Sequence, residues 1–165
     1  MRPFDHREPG IIGASLVDDS VFTEITLDGV HVHPGAAELA LSAKGRQKVL
    51  LVTDAMQAAG QPDGVYYRPG NRKIIVKDGA ARVESGSLAG SVLMLDNAVR
   101  YAIGILGVPA DAAVQMASFN IARSLGLEDQ VGSLAAGLPA DLILLDADYN
   151  CESVYLNGIK LNKES

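Results

Sequence analysis

Apolar and polar positions along the chain change their period several times, and each change predicts an element. Residues 21–27 alternate well enough for a β-strand, and Asp28-Gly29 ends it. After His31-Val32-His33, Pro34 suits the first turn of a helix, where a missing N–H costs nothing. The Ala- and Leu-rich residues 36–43 continue that helix. Val49, Leu50, Leu51 and Val52 are apolar without alternation, as in a strand buried on both faces of a parallel sheet. Strand, helix and buried strand in this order form a βαβ signature and an α/β fold.

Residues 60–90 break the pattern. They are rich in Gly, Pro and Asp, and residues 73–77 and 80–83 flank Asp78-Gly79 as a β-hairpin. This stretch reads as an insertion. Ser91 fits an N-cap, and Val92, Leu95, Val99, Ala102, Ile103 and Leu106 then keep helical spacing in a long amphipathic helix. Pro109 opens a further helix through Met116. Residues 120–125 continue after a break, and Gly126 is the stop. The tail returns to β-structure, with a buried strand over 140–146 and a hairpin on Asn157-Gly158. So short a tail needs other strands, from the insertion or from sequence beyond this chain. Residues 1–10 read as an ordered loop or a chain cut within a domain.

Composition narrows the function. With 165 residues, 48% hydrophobic and 21% charged, the chain is of soluble globular type. Its net charge of -6 argues against nucleic acid or an anionic membrane as partner, since both require a positive field. A small anionic substrate would need local Arg or Lys. A single cysteine, Cys151, allows no internal disulfide and reads as a small residue near a strand start. Without a signal-peptide pattern at the N-terminus or a membrane-length apolar run, a cytoplasmic location is expected.

Asp54 directly follows the buried strand, where α/β folds hold catalytic groups. A half-desolvated carboxylate there is a usable general base, or else it orders the loop or caps a helix. His31 and His33, two apart in an extended segment, point the same way, but two donors are one short of a catalytic zinc site, and His6 lies far off in the N-terminal segment. Arg7, in the turn Arg7-Glu8-Pro9-Gly10, offers a guanidinium fork for phosphate or pairs with Glu8 or solvent. Small residues over 87–91 allow backbone N–H groups to approach a ligand or simply lead into the next helix.

Taken together, several segments resemble the N-acetylglucosamine-6-phosphate deacetylases of the amidohydrolase superfamily. They are Arg7-Glu8-Pro9-Gly10 with Gly13 and Ala14, Leu27-Asp28-Gly29-Val30-His31-Val32-His33-Pro34, Leu51-Val52-Thr53-Asp54-Ala55-Met56, Ala58-Ala59-Gly60 with Pro62-Asp63-Gly64, Gly86-Ser87-Leu88-Ala89-Gly90-Ser91, Met116-Ala117-Ser118-Phe119-Asn120 and the 140–146 strand. The resemblance implies the C-terminal portion of a TIM-like (β/α)8 barrel, about its last two βα units, with a β-hairpin insertion and part of a small β-sandwich. By it, residues 1–60 end the barrel with strands seven (22–27) and eight (48–53). Residues 61–90 are the insertion, 91–126 the C-terminal helices and 127–165 the sandwich tail.

The implied reaction is metal-dependent hydrolysis of N-acetylglucosamine 6-phosphate to glucosamine 6-phosphate and acetate. A divalent zinc or iron ion would lower the pKa of its water toward ~7. Asp54 matches the residue that takes a proton from that water and then protonates the leaving amine. His31 matches a substrate-contacting histidine, Arg7 the phosphate-binding arginine, Leu88 the wall beside the acetyl group, and His33 a position with a structural role. The family's metal ligands, a glutamate and two histidines, fall upstream of Met1, so no metal ligand is expected in this chain and it is expected to be inactive alone. Its unpaired strand edges lead us to expect a homo-oligomer, intertwined, or pairing with a separate N-terminal fragment. Another amidohydrolase, dihydroorotase-like or specific for a different amino sugar, and a non-catalytic assembly module are the alternatives.

Overall fold

A computed structural model describes residues 3–68, 70 and 72–162; Met1 and Arg2, where the N-terminal loop was expected to start, lie outside them. The order is α1 (Gly10–Val17), β1 (Thr23–Ile25), α2 (Pro34–Lys44), a 3-10 turn (Arg46–Lys48), β2 (Val49–Leu51), β3 (Gly64–Arg68), β4 (Arg72–Lys77), β5 (Ala80–Val83), β6 (Leu88–Ser91), α3 (Leu95–Gly104), α4 (Ala110–Ala117), α5 (Phe119–Ser124), β7 (Leu142–Leu145), β8 (Cys151–Leu156) and β9 (Ile159–Lys160).

The βαβ unit is present. β1 and β2 pair in parallel, Thr23 with Val49 through Ile25 with Leu51, and Val52 extends the ladder by donating to the Ile25 carbonyl at 3.1 Å. All three residues of β2 are buried. Val49 and Leu51 belong to the main core with Ile25, Leu27, Ala37, Val99, Ala102, Ala113 and Met116, and α3, α4 and α5 pack against β2, so helices cover it as a parallel sheet requires. The first strand is shorter than expected, three residues instead of the whole of 21–27.

Two buried polar side chains hold this layer together. Asn120, 2% exposed, donates from Nδ2 to the carbonyls of Arg46 (2.8 Å) and Val49 (2.9 Å), joining α5 to the start of β2. Lys44, 5% exposed, donates from Nζ to the carbonyls of Ser15 (2.7 Å) and Asp18, so the end of α2 satisfies the end of α1. The helix α1 begins at the last residue of the segment read as a loop, 1–10, and runs through residues for which the sequence predicted no element. Its segment has neither capping side chain nor polar face, and only Gly13 is buried.

The insertion is larger than one hairpin. β3 to β6 form a four-stranded antiparallel meander in sequence order. Asp78-Gly79 turns β4 into β5 with both residues at positive φ, 50° and 74°, as a type I′ turn requires. Along β4, Ile74 and Val76 face inward onto Ala58 and Ala81 while Ile75 and Lys77 face out. Ser91 ends β6 and does not cap the following helix, whose N-cap is Met94. The Ser91 Oγ instead accepts from the Leu93 N–H at 2.9 Å.

The tail forms its own sheet, β7-β8-β9, hydrogen-bonded to neither of the other two. Of the two sources of further strands expected for the tail, the insertion supplies none among the described residues. The Asn157-Gly158 turn again has positive φ at both residues, and Cys151 opens β8. Arg100 on α3 donates to the Tyr149 carbonyl at 3.1 Å and anchors the approach to this sheet.

Replacing Asn120 by Ala removes its hydrogen bonds to the Arg46 and Val49 carbonyls, the second of them buried. Stability should fall by about 1–3 kcal/mol, read as a lower urea midpoint at unchanged m-value. A midpoint equal to wild type would show that these bonds do not hold α5 to β2.

Candidate active-site edge

Because β1 and β2 are parallel, their carboxyl ends emerge on one edge, and two of the predicted residues lie there. His31 follows β1 in the bend before α2; Asp54 follows β2 by three residues. The end of β6 joins the same edge. Ser91 bridges Ala55 in parallel, its N–H donating to the Asp54 carbonyl at 3.1 Å and its carbonyl accepting from Met56 N–H at 2.8 Å. Leu88 begins that strand and is 38% exposed. Thus His31 and Asp54 each follow a strand that ends at this edge, and the last residue of the strand that Leu88 begins pairs beside Asp54.

Asp54 has φ 48°, a left-handed conformation that Asp tolerates better than most residues and that is held here by the Ser91 bridge. Its side chain is exposed, so the half-desolvated carboxylate expected at a strand end is not found in this chain. No other element described here covers it.

His31 is the more constrained group. Its Nδ1 lies 2.6 Å from Asp28 Oδ2, and the side chains are 20% and 7% exposed respectively. Asp28 Oδ1 meanwhile accepts from Val30 N–H at 2.9 Å and His31 N–H at 2.8 Å. The turn between them needs Gly29, at φ 72°, where a Cβ would come within 3.0 Å of the Tyr101 hydroxyl. Burial pushes the Asp28 carboxyl up, but hydrogen bonds from the His31 backbone and ring and from Val30 outweigh it and hold the group below the ordinary aspartate range. Asp28 was not among the candidates read from the sequence. The signal was the aspartate three residues before the histidine, with a glycine between, read there only as a strand-ending turn.

His33 stands apart from this pair. It is the N-cap of α2, its Nδ1 accepting from Gly35 N–H at 3.1 Å, which fits the structural role expected of it. Arg7 is exposed, its backbone N–H donating to Asp5 Oδ1 at 2.8 Å, and no described contact brings its guanidinium to His31 or Asp54. Among the described residues no three His, Cys, Asp or Glu side chains converge to hold a metal ion. No described helix is long and apolar enough to cross a membrane.

The sequence profile of the amidohydrolase family matches residues 16–161. The chain belongs to the amidohydrolase family. It is 40% identical over 158 residues to an Escherichia coli (strain K12) protein named provisionally as an N-acetylgalactosamine-6-phosphate deacetylase, covering 96% of this chain and 93% of that one. It is also 40% identical over 154 residues to the N-acetylglucosamine-6-phosphate deacetylase of Bacillus subtilis (strain 168), covering 93% of this chain but 38% of that enzyme. The crystal structure of a mutant N-acetyl-D-glucosamine-6-phosphate deacetylase from Mycobacterium smegmatis, in complex with N-acetyl-D-glucosamine 6-phosphate, superposes with a TM-score of 0.89 at 40% identity. That match covers 97% of this chain and 42% of the other. This family member thus spans nearly the whole of one relative and about two fifths of the others.

The depressed Asp28 value sets a pH dependence with a definite sign. A carboxyl whose folded value lies below its unfolded one stabilises fully above the ordinary aspartate range and loses that contribution as pH falls through the folded value. Asp18, held down chiefly by the Ser20 hydroxyl, and Asp146, held down chiefly by the Asn150 side chain, act in the same direction. Urea midpoints should therefore drop from pH 6 to pH 3, and Asp28→Asn should make that drop smaller. An identical drop in the variant would remove Asp28 from the acid response.

Proposed function

We propose that this chain is the proton-transfer and sugar-contacting part of a hexosamine-6-phosphate deacetylase. It would act in hydrolysis of the acetamide of N-acetylglucosamine 6-phosphate to glucosamine 6-phosphate and acetate. The observation that carries this reading is the 40% identity to enzymes of that name over nearly all of the chain. The common edge occupied by His31 and Asp54 supports it.

On this reading β1 and β2 are consecutive strands of an incomplete barrel, with 1–60 its end, 61–90 an insertion, 91–126 its closing helices and 127–165 part of a second small domain. Asp54 accepts a proton from the attacking water and returns it to the leaving amine nitrogen, so the two transfers balance. His31 orients the sugar, Leu88 lines the acetyl side and Arg7 binds the phosphate with its guanidinium fork. The divalent zinc or iron of the family finds no donor set among the described residues, so no step is assigned to it here. The outer edges of the two-stranded sheet β1-β2 are unpaired among the described residues, and we propose that they pair in solution with a second copy or a complementary fragment.

A second amino sugar is favoured by a specific observation: two relatives at the same 40% identity are named for N-acetylgalactosamine 6-phosphate. The two sugars differ in one hydroxyl configuration, so assaying both separates the readings.

Two measurements test the proposal. Purified chain should release no acetate from either sugar phosphate, with or without added zinc or iron; metal-dependent turnover by the chain alone would overturn its assignment as a part. A chimera in which this chain replaces the matching segment of the Bacillus subtilis enzyme should deacetylate, and Asp54→Asn in it should lower kcat by about 10²–10⁴-fold. A folded chimera without activity, or one indifferent to Asp54→Asn, would sink the function.

A further inference from the structure

We infer that Asp28 is a positioning residue that locks the His31 ring in its Nδ1–H tautomer and so presents Nε2, as a hydrogen-bond acceptor, to a hydroxyl or amide N–H of the ligand. The substrate role of His31 rests on the function proposed above; the tautomer itself rests on geometry alone.

The geometry leaves one arrangement. An ionised carboxylate only accepts hydrogen bonds. Asp28 Oδ1 is occupied by two backbone N–H groups, and Oδ2 faces His31 Nδ1 at 2.6 Å, a charge-assisted distance. A proton must lie between them, and in the neutral ring it comes from Nδ1. Nε2 then carries the lone pair and lies at the far side of the ring from Asp28. The contact is sheltered, since only 7% of the Asp28 side chain is exposed, so water does not compete for Oδ2 as it would at the surface. The other two histidines lack this constraint. His33 uses Nδ1 as an acceptor from Gly35 N–H, the opposite tautomer, and the His6 ring, more than half exposed, lies 3.7 Å from Asp5. One chain therefore contains both tautomers, each set by its own neighbour. The arrangement follows the general logic by which a buried carboxylate selects the working face of a histidine.

Asparagine at position 28 isolates the effect. Its Oδ1 can keep both backbone N–H groups, so the turn survives, while its amide N–H₂ faces Nδ1 and requires an acceptor there. The ring must then move its proton to Nε2. The experiment is long-range ¹H–¹⁵N correlation of the imidazoles in the purified 165-residue chain at a pH where they are neutral, with His31→Gln used to assign the signal among three histidines. In wild type His31 should show a protonated Nδ1 and a bare Nε2. Asp28→Asn should exchange the two patterns while amide spectra stay dispersed, and Asp28→Glu should restore the wild-type pattern in part. A wild-type His31 protonated at Nε2, or a pattern unchanged by Asp28→Asn, would overturn the inference. Titration with N-acetylglucosamine 6-phosphate separates the two layers. A shift of His31 Nε2 supports both, whereas an Nδ1–H ring whose Nε2 ignores the sugar upholds the tautomer and fails the substrate reading.

Discussion

The parallel pairing of β1 with β2 is the constraint on which the remaining structure depends. A parallel pair of three-residue strands has few hydrogen bonds and no hairpin to hold it, so it survives only when both faces are covered. That requirement explains the fully apolar β2, the packing of α3, α4 and α5 against it, and the tie that Asn120 makes from α5 to its first residue. It also fixes direction. Parallel strands send their continuations to one edge, so the segments after β1 and after β2 leave the sheet on the same side although 23 positions separate His31 from Asp54.

Much of this was legible because burial leaves a periodic trace. The unbroken apolar run at Val49, Leu50, Leu51 and Val52, Pro34 at a helix start, and the Asp78-Gly79 and Asn157-Gly158 turns each carry their conformation in local chemistry, and each is found where the sequence put it. What failed was structure set by distant contacts. The helix α1 has no cap and no amphipathic stripe; its end is fixed by Lys44, 26 and 29 residues away, which no local pattern reveals. Ser91 looks like an N-cap from its neighbours but is the last residue of a strand, drawn into the sheet by pairing with Ala80 and by the bridge to Ala55.

The candidate site divides the same way. Position at a strand end was readable for Asp54. The exposure of Asp54 was not, because it depends on what stands opposite, and nothing in the described chain does. Asp28 was legible only as a turn residue. Its second oxygen meets the His31 ring across the turn at Gly29, and a sequence does not show which way a carboxylate faces.

These contrasts say which physical terms this chain supplies. Orientation is already built: the Asp28–His31 contact is short, sheltered and satisfied on both oxygens, and Asp54 is held at an uncommon backbone angle by its bridge to β6. Desolvation is not built. The Asp54 side chain stands in open solvent, whereas closing a site over a proton-transfer group expels the water around it. A proton-transfer role for Asp54 therefore requires a surface that covers the carboxyl edge of β1 and β2 and removes that water. The relatives of which this chain spans two fifths have the remaining length from which such a cover could be made. Positioning and exclusion of water are then separable contributions, the first encoded in the turn after β1 and the second supplied by whatever closes over the edge.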